Sequence, residues 1–188
     1  MTDNLDVDIA IVGGGIAGPA LACALRGRGD RIALIDAQDG PLDTARGDHL
    51  QPVACDILEQ WGALDAFWAR GAEKRLGAKW RTAEGDLLLD GAIDGLPIAH
   101  PYYLYLNHER ICDVLLDLAQ ENTAFTLLRP ARAALSEPDG DRFGLRVSRE
   151  GQPDIEVRAG LVVAADGRAS ALRQAAGIKA EIHQYQSP

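Results

Sequence analysis

The apolar run Ile9 to Val12 passes directly into Gly13-Gly-Gly-Ile-Ala-Gly18 and then into the apolar-rich stretch Pro19 to Leu25. Gly13, Gly15 and Gly18 stand at the G-x-G-x-x-G spacing, which restricts this part of the chain to a strand, a tight turn and a helix. Each glycine answers a different need. Gly13 lets the chain turn sharply, Gly15 lets the backbone approach a pyrophosphate, and Gly18 lets the helix lie close to the strand. The unpaired N–H groups and dipole of the helix N-terminus favour an anion. Gly13, Gly15, Ile16, Ala17 and Gly18 are therefore candidate cofactor-binding residues. Pro19 falls in the first helical turn, where its missing N–H costs little.

The surroundings agree with this reading. The helix is predicted to end near Arg26, where Gly27 and Gly29 break it, and Arg31 to Ile35 form a second apolar strand that ends at Asp36. Asp36 is 18 residues past Gly18, close to the spacing of an acid that binds a ribose hydroxyl. A carboxylate there disfavours a 2′-phosphate, and no arginine follows at once to accept one. The site is expected to take the adenosine half of FAD or NAD.

Composition narrows the classes. The chain has 188 residues and a net charge of −9, without the clustered Lys and Arg that a nucleic-acid surface requires. It contains no apolar run near the roughly 18 residues of a membrane span, and its acidic N-terminus is unlike a signal peptide. A soluble, cytoplasmic protein with no nucleic-acid or membrane partner is expected. Cys23, Cys55 and Cys112 are too widely spaced for a metal site or a disulfide framework and read as buried thiols, so no metal is expected.

Along the chain, a turn-rich loop from Gln38 carries Arg46, the loop's one guanidinium, which either reaches a phosphate or ribose of a cofactor at the glycine turn or, by itself, reads as a solvated loop arginine. A helix is predicted from near Leu50 to Gly62 with Val53, Ile57, Leu58 and Trp61 at helical spacing, and a short one over Ala66 to Arg70. Ala78 to Arg81 and Asp86 to Leu89 read as a hairpin, and Tyr102 to Leu106 as a strand. Period two sets Tyr102, Leu104 and Leu106 on one face and Tyr103 and Tyr105 on the other; one face either lines a ligand cavity or simply packs a sheet.

Asn107 caps a predicted helix to about Gln120 with a stripe of Ile111, Val114, Leu115 and Leu118. Arg110 sits in its first turn, an unfavourable place for a cation unless an anion is near. Thr123 to Leu128 reads as a strand. Ala131 to Leu135, Phe143 to Ser148 and Ile155 to Ala159 suggest an antiparallel meander, with turns at Pro138-Asp-Gly-Asp and Glu150-Gly-Gln-Pro. A separate buried strand, Leu161 to Ala165, then delivers Asp166 and Gly167 to its carboxyl end, and a helix starts near Ser170 and stops before Gly177.

Taken together, these residues resemble the class A, p-hydroxybenzoate hydroxylase-like flavoprotein monooxygenases. The resemblance rests on the glycine turn with Asp36, on Arg46 before the next helix, on Arg110 opening the helix after the aromatic strand, and on Asp166-Gly167-x-x-Ser170-x-x-Arg173. It implies an α/β fold: a Rossmann-like FAD-binding domain with a parallel sheet, an inserted antiparallel meander and part of a substrate-domain sheet. Residues 1–75 and 107–188 would form the FAD domain, and 76–106 an insert on the substrate side.

The resemblance also implies roles. The glycine turn would bind the FAD pyrophosphate, and Asp36 the adenosine ribose. Arg46 and Arg110 would flank the ribityl and phosphate region, while Asp166 and Gly167 would meet FAD and NAD(P)H. The implied activity is NADH- or NADPH-dependent hydroxylation of a small aromatic or similarly electron-rich substrate through a flavin C4a-hydroperoxide. No catalytic residue is assigned: His49, His100, His108 and His183 are scattered, and His49 ranks first as a base only for its closeness to Arg46.

The family's later Gly-Asp motif and the rest of its substrate-domain sheet have no counterpart here. The chain therefore reads as a truncated product, half of a split enzyme needing a partner subunit, or a minimal relative. An FAD-dependent reductase or halogenase of the same superfamily, and a non-catalytic dinucleotide-binding module, stay open as alternatives. Uncovered apolar surface is expected to drive self-association.

Overall fold

A computed structural model describes residues 3–40, 49–181 and 183. The elements are β1 (Asp3–Val12), α1 (Ala17–Leu25), β2 (Ile32–Ile35), β3 (His49–Leu50), α2 (Pro52–Gln60), α3 (Leu64–Ala69), β4 (Glu73–Arg75), β5 (Lys79–Arg81), β6 (Leu87–Asp90), β7 (Tyr103–Tyr105), α4 (His108–Ala119), β8 (Phe125–Leu128), β9 (Arg132–Asp139), β10 (Arg142–Ser148), β11 (Ile155–Ala164) and α5 (Ala171–Ala175). They fold as two compact units. One comprises Met1–Gly18, Arg28–Gly40 and Thr123–Pro188; the other comprises Pro19–Gly27 and Pro41–Asn122.

The first unit is built on a six-stranded sheet in the order β8-β2-β1-β11-β10-β9. β8, β2, β1 and β11 run parallel, and β10 and β9 continue the sheet antiparallel. Val7, Ala10, Val12, Ala33, Ile35, Leu145, Val147, Val157 and Leu172 belong to its hydrophobic core. Burying each of the Val, Leu and Ile side chains among them is worth about 1.5 to 3 kcal/mol, as an upper estimate. Register is pinned across β1 and β11, where the opposed residues Asp6 and Arg158 form a bidentate pair with both N···O distances 2.9 Å. A one-residue slip would separate that pair and turn the core side chains to the other face.

Three expectations are corrected here. The strands expected at 155–159 and 161–165 are one continuous strand, β11, because both halves pair with β1 through Gly160. Its second half is not buried, Leu161 being 51% exposed, since β10 leaves the strand at Ala159 and nothing among the described residues pairs with that edge beyond it. The first meander turn is tighter than Pro138-Asp-Gly-Asp: β9 runs through Asp139, and Gly140 at φ +65° makes the reversal.

In the second unit α2 begins at Pro52, a residue suited to the first helical position. Its buried residues are Cys55 and Leu58, while Val53 and Ile57 face outward, so the expected apolar stripe is also corrected. Helical spacing alone does not say which apolar face is covered, and in α2 the covered face is the one turned to α3 and β7. Gly62 at φ +63° ends the segment as expected. In α4 the stripe includes Ile111, Val114 and Leu115, with Cys112, Leu116 and Ala119 buried beside them and Leu118 only half-buried.

β5 and β6 form the expected hairpin, and β7 pairs with β3 and β4, two short strands not anticipated from sequence. All three cysteines are buried, and burial pushes the thiols of Cys23 and Cys55 up from their ordinary pKa. Among the described residues no helix is long and apolar enough to cross a membrane.

A surface clamp ties the first two parallel strands. The Arg31 guanidinium donates to both Asp8 oxygens (3.2 and 2.6 Å) and its backbone N–H adds a third bond at 2.8 Å. The side-chain and backbone bonds from Arg31 hold the Asp8 carboxyl at a pKa of about 2. Because the folded value lies below the unfolded one near 3.9, the clamp's contribution is complete above pH about 4 and disappears as pH falls through about 2. Denaturant titrations of the wild type and Asp8→Asn are expected to differ above pH 4 and to converge near pH 2.

Candidate active site

The parallel strands end in register. Val12 of β1 is opposite Ile35 of β2 and Ala164 of β11, and Ile35 is opposite Leu128 of β8. The residue after each strand, Gly13, Asp36, Arg129 and Ala165, therefore emerges at one carboxyl edge, where open α/β sheets bind ligands. Backbone bonds continue the row past the strands: Gly13 N donates to Ile35 O (2.8 Å), Asp36 N to Leu128 O (3.0 Å) and Ala165 N to Val12 O (2.7 Å).

The glycine turn fits this edge tightly. Gly13 has φ +121°, and a Cβ there would lie 2.2 Å from Ala165 O. A Cβ on Gly18 would lie 1.9 Å from Gly13 O. Gly15 differs: a Cβ there would meet no atom of the described residues within 4 Å, so packing among them does not explain its missing side chain. The open flank suits a group brought from outside, next to the N–H groups of Ile16 and Ala17 that open α1.

Asp166 and Gly167 complete the edge. Asp166 Oδ2 accepts from Leu172 N at 3.2 Å, which aims the carboxylate along the start of α5, while Oδ1 is buried with no hydrogen-bond partner among the described residues. Gly167 takes φ +86°. Ser170 caps α5 by accepting from Arg173 N at 3.0 Å, and Gly177 at φ +72° follows the helix end, as anticipated. A buried acceptor without a donor is costly, and a cofactor hydroxyl is the kind of group that would satisfy it. The donors, the spare acceptor and the open flank of Gly15 fit a dinucleotide cofactor.

Gly13, Gly15, Ile16, Ala17, Gly18, Asp36, Asp166 and Gly167 thus all lie at the carboxyl ends of β1, β2 and β11 or in the segments that directly follow them. Arg46 lies outside the described residues. Arg110 belongs to the second unit, exposed in the first turn of α4, where Nη1 donates to Arg70 O (3.5 Å) at the end of α3. That carbonyl answers part of the conflict noted for a cation in this turn.

Sequence reading missed one member, Arg129. Its Nη2 donates to Asp36 Oδ2 at 2.9 Å, with side chains only 9% and 12% exposed. The arginine absent just after Asp36 is supplied from 93 residues away, and only the pairing of β2 with β8 reveals it.

The second unit holds a cavity of about 420 Å³ lined by His49, Arg75, Trp80, Tyr103 and Tyr105, among others. The alternation in β7 is as read: Tyr102, Leu104 and Leu106 are buried, and the Tyr103/Tyr105 face lines the cavity. His49 meets Tyr103 edge-on at 5.5 Å between ring centroids, and the Arg75 guanidinium lies 5.0 Å from the Tyr105 ring centroid. The His100 ring is already engaged within the second unit. Its Nδ1 lies 2.6 Å from Asp56 Oδ1, where a ring N–H donates to the carboxylate, and its ring abuts Tyr102.

The contrasting surroundings of Gly15 and Gly18 separate ligand effects from folding effects. Gly15→Val is expected to weaken FAD binding more than about tenfold with little change in thermal midpoint. Gly18→Val forces a Cβ onto Gly13 O and is expected to cost about 1 to 3 kcal/mol of stability. Fluorescence titration and thermal melts read the two quantities separately.

The FAD binding domain family matches residues 6–187. A 6-methylpretetramide 4-monooxygenase of Streptomyces rimosus is 33% identical, over 94% of this chain and 42% of its own length. Ubiquinone hydroxylase UbiL of Rhodospirillum rubrum is 32% identical, over 91% of this chain and 39% of its own length. The structure of the flavin-dependent monooxygenase PieE in complex with FAD and substrate superposes with a TM-score of 0.80 at 25% identity, over 94% of this chain and 33% of that one. The chain thus spans about two fifths of the curated relatives it matches. With its glycine turn, Asp36 and the Asp166-Gly167 corner on one sheet edge, this chain belongs to the FAD binding domain family of the class A flavoprotein monooxygenases.

Proposed function

We propose that the chain is the FAD-binding portion of an NAD(P)H-dependent monooxygenase that hydroxylates a small aromatic or similarly electron-rich molecule. The observation that carries this reading is the shared carboxyl edge on which the glycine turn, Asp36 and the spare Asp166 Oδ1 meet. The N–H groups around Gly15, Ile16 and Ala17 hold the pyrophosphate, Asp36 accepts from the adenosine ribose, and Asp166 with Gly167 receives a hydroxyl-bearing part of the cofactor. When bound, FAD would supply the redox chemistry of an NADH- or NADPH-dependent oxygen insertion, and these residues would bind and orient it.

In the second unit, Trp80, Tyr103 and Tyr105 offer aromatic walls for a planar substrate, while Arg75 and His49 offer donors to its polar substituents. Segments 1–75 and 107–188 are assigned to the FAD domain, from which His49 and Arg75 reach the substrate cavity, and 76–106 to the substrate side. The remaining walls are assigned to the portion of the longer relatives that this chain does not span, carried by the same polypeptide or by a partner subunit. The proposed location is the cytoplasm.

The test is the visible spectrum of the purified chain, with chromatography of what denaturation releases. Flavin bands with intact FAD are expected, followed by a comparison of NADH and NADPH as reductants. A colourless protein that takes up no added FAD would overturn cofactor binding by this chain alone.

A specific observation favours one partner, a second copy of the chain. Beyond Gly160 one edge of β11 is unpaired among the described residues, beside a groove of about 440 Å³ whose lining includes Leu135, Phe143, Val162 and Ile178, all but Val162 exposed. Such a surface favours self-association. Light scattering across a concentration series is expected to show a dimer, and a monomer at every concentration would contradict it.

A further inference from the structure

We infer that Arg129 is a positioning residue that aims Asp36 at the adenosine ribose, so that the Arg129–Asp36 pair, and not the acid alone, sets which nucleotides the site accepts. The inference rests on the FAD reading above.

Three features build the pair. The backbone clamps Asp36 from both sides of Arg129, with Asp36 N donating to Leu128 O (3.0 Å) and Ala131 N donating to Asp36 O (2.7 Å). The ion pair itself is buried, with Arg129 Nη2 2.9 Å from Asp36 Oδ2 and both side chains nearly nine-tenths covered or more. Finally, Gly14, which the G-x-G-x-x-G spacing leaves unassigned, acquires a reason: a Cβ there would lie 2.2 Å from Asp36 Oδ2 and 2.4 Å from Arg129 Nη2. The pair is seated directly against the glycine turn.

The chemistry follows from the two carboxylate oxygens. Oδ2 is committed to Arg129, and no bond to Oδ1 occurs among the described residues, so Oδ1 keeps its acceptor capacity for a ribose hydroxyl. A carboxylate held in one orientation has less freedom to lose when the ribose binds. Arg129 Nε is buried with no partner among the described residues, leaving a donor of positive charge in the same place. With Asp36 present, a 2′-phosphate meets a carboxylate and is refused. With Asp36 removed, the same arginine would be left to attract it.

The experiment measures binding of ADP, 2′-deoxy-ADP and adenosine 2′-phosphate 5′-diphosphate by calorimetry, with circular dichroism confirming that each variant is folded. The wild type is expected to prefer ADP over 2′-deoxy-ADP about tenfold, as for a hydrogen bond to a charged group. Arg129→Met is expected to reduce that preference to less than about threefold and Arg129→Lys to restore part of it. Asp36→Ala is expected to bind the 2′-phosphorylated nucleotide at least about tenfold more tightly than ADP, and Asp36→Ala with Arg129→Met to lose that gain.

An unchanged ribose preference in folded Arg129→Met overturns the inference while leaving the FAD reading intact. Failure of Asp36→Ala to gain affinity for the 2′-phosphate does the same, and decides alone if Arg129→Met does not fold. A wild type that binds no ADP overturns the inference and the FAD reading together.

Discussion

Hydrogen bonding between the ends of four parallel strands is the constraint on which everything functional in this chain depends. Val12, Ile35, Leu128 and Ala164 form one row, so the next residue of each strand is released at the same edge without any side chain having to arrange it. Three backbone bonds carry the row past the strands to Gly13, Asp36 and Ala165. Rigid elements thus hold groups whose placement matters to within fractions of an ångström. Residues far apart in the chain become neighbours because parallel pairing requires long connections between adjacent strands.

The glycine turn shows how one motif serves two ends. Gly13 and Gly18 are glycine because protein backbone lies where a Cβ would be, and they belong to folding. Gly15 is glycine although none of the described residues fills the space beside it, so packing within them gives no reason for the missing side chain. Gly14, silent in the motif, is glycine because the Asp36–Arg129 pair occupies its flank. Unsatisfied polar atoms carry the same message. Asp166 Oδ1 and Arg129 Nε are both buried without partners among the described residues, an expense that a stable fold avoids unless something else completes the bonds.

Local sequence made much of this legible. The run into Gly13, the acid at the end of the second strand and the Asp166-Gly167 corner before Ser170 are signals carried by neighbouring residues, and each stands where it was read. The alternation of Tyr102 to Leu106 likewise separated a buried face from a cavity-lining one. What escaped was the partner of each surface. α2 presents apolar residues on more than one side, and only its contacts show that Cys55 and Leu58 are covered while Val53 and Ile57 are not. The short β3 and β4 have too few residues to show a period and exist because β7 pairs with them.

By itself, then, the sequence determined the strand, turn and helix at its start, the chemical character of the cofactor edge and the class of fold, because propensity, periodicity and glycine spacing act over a few residues. Tertiary structure alone decided that Ile155 to Ala164 is one strand, that its far half lies open, and that Asp36 is gripped by Arg129. Those facts depend on which strands lie side by side, and pairing between residues 93 positions apart leaves no trace in the local pattern of either.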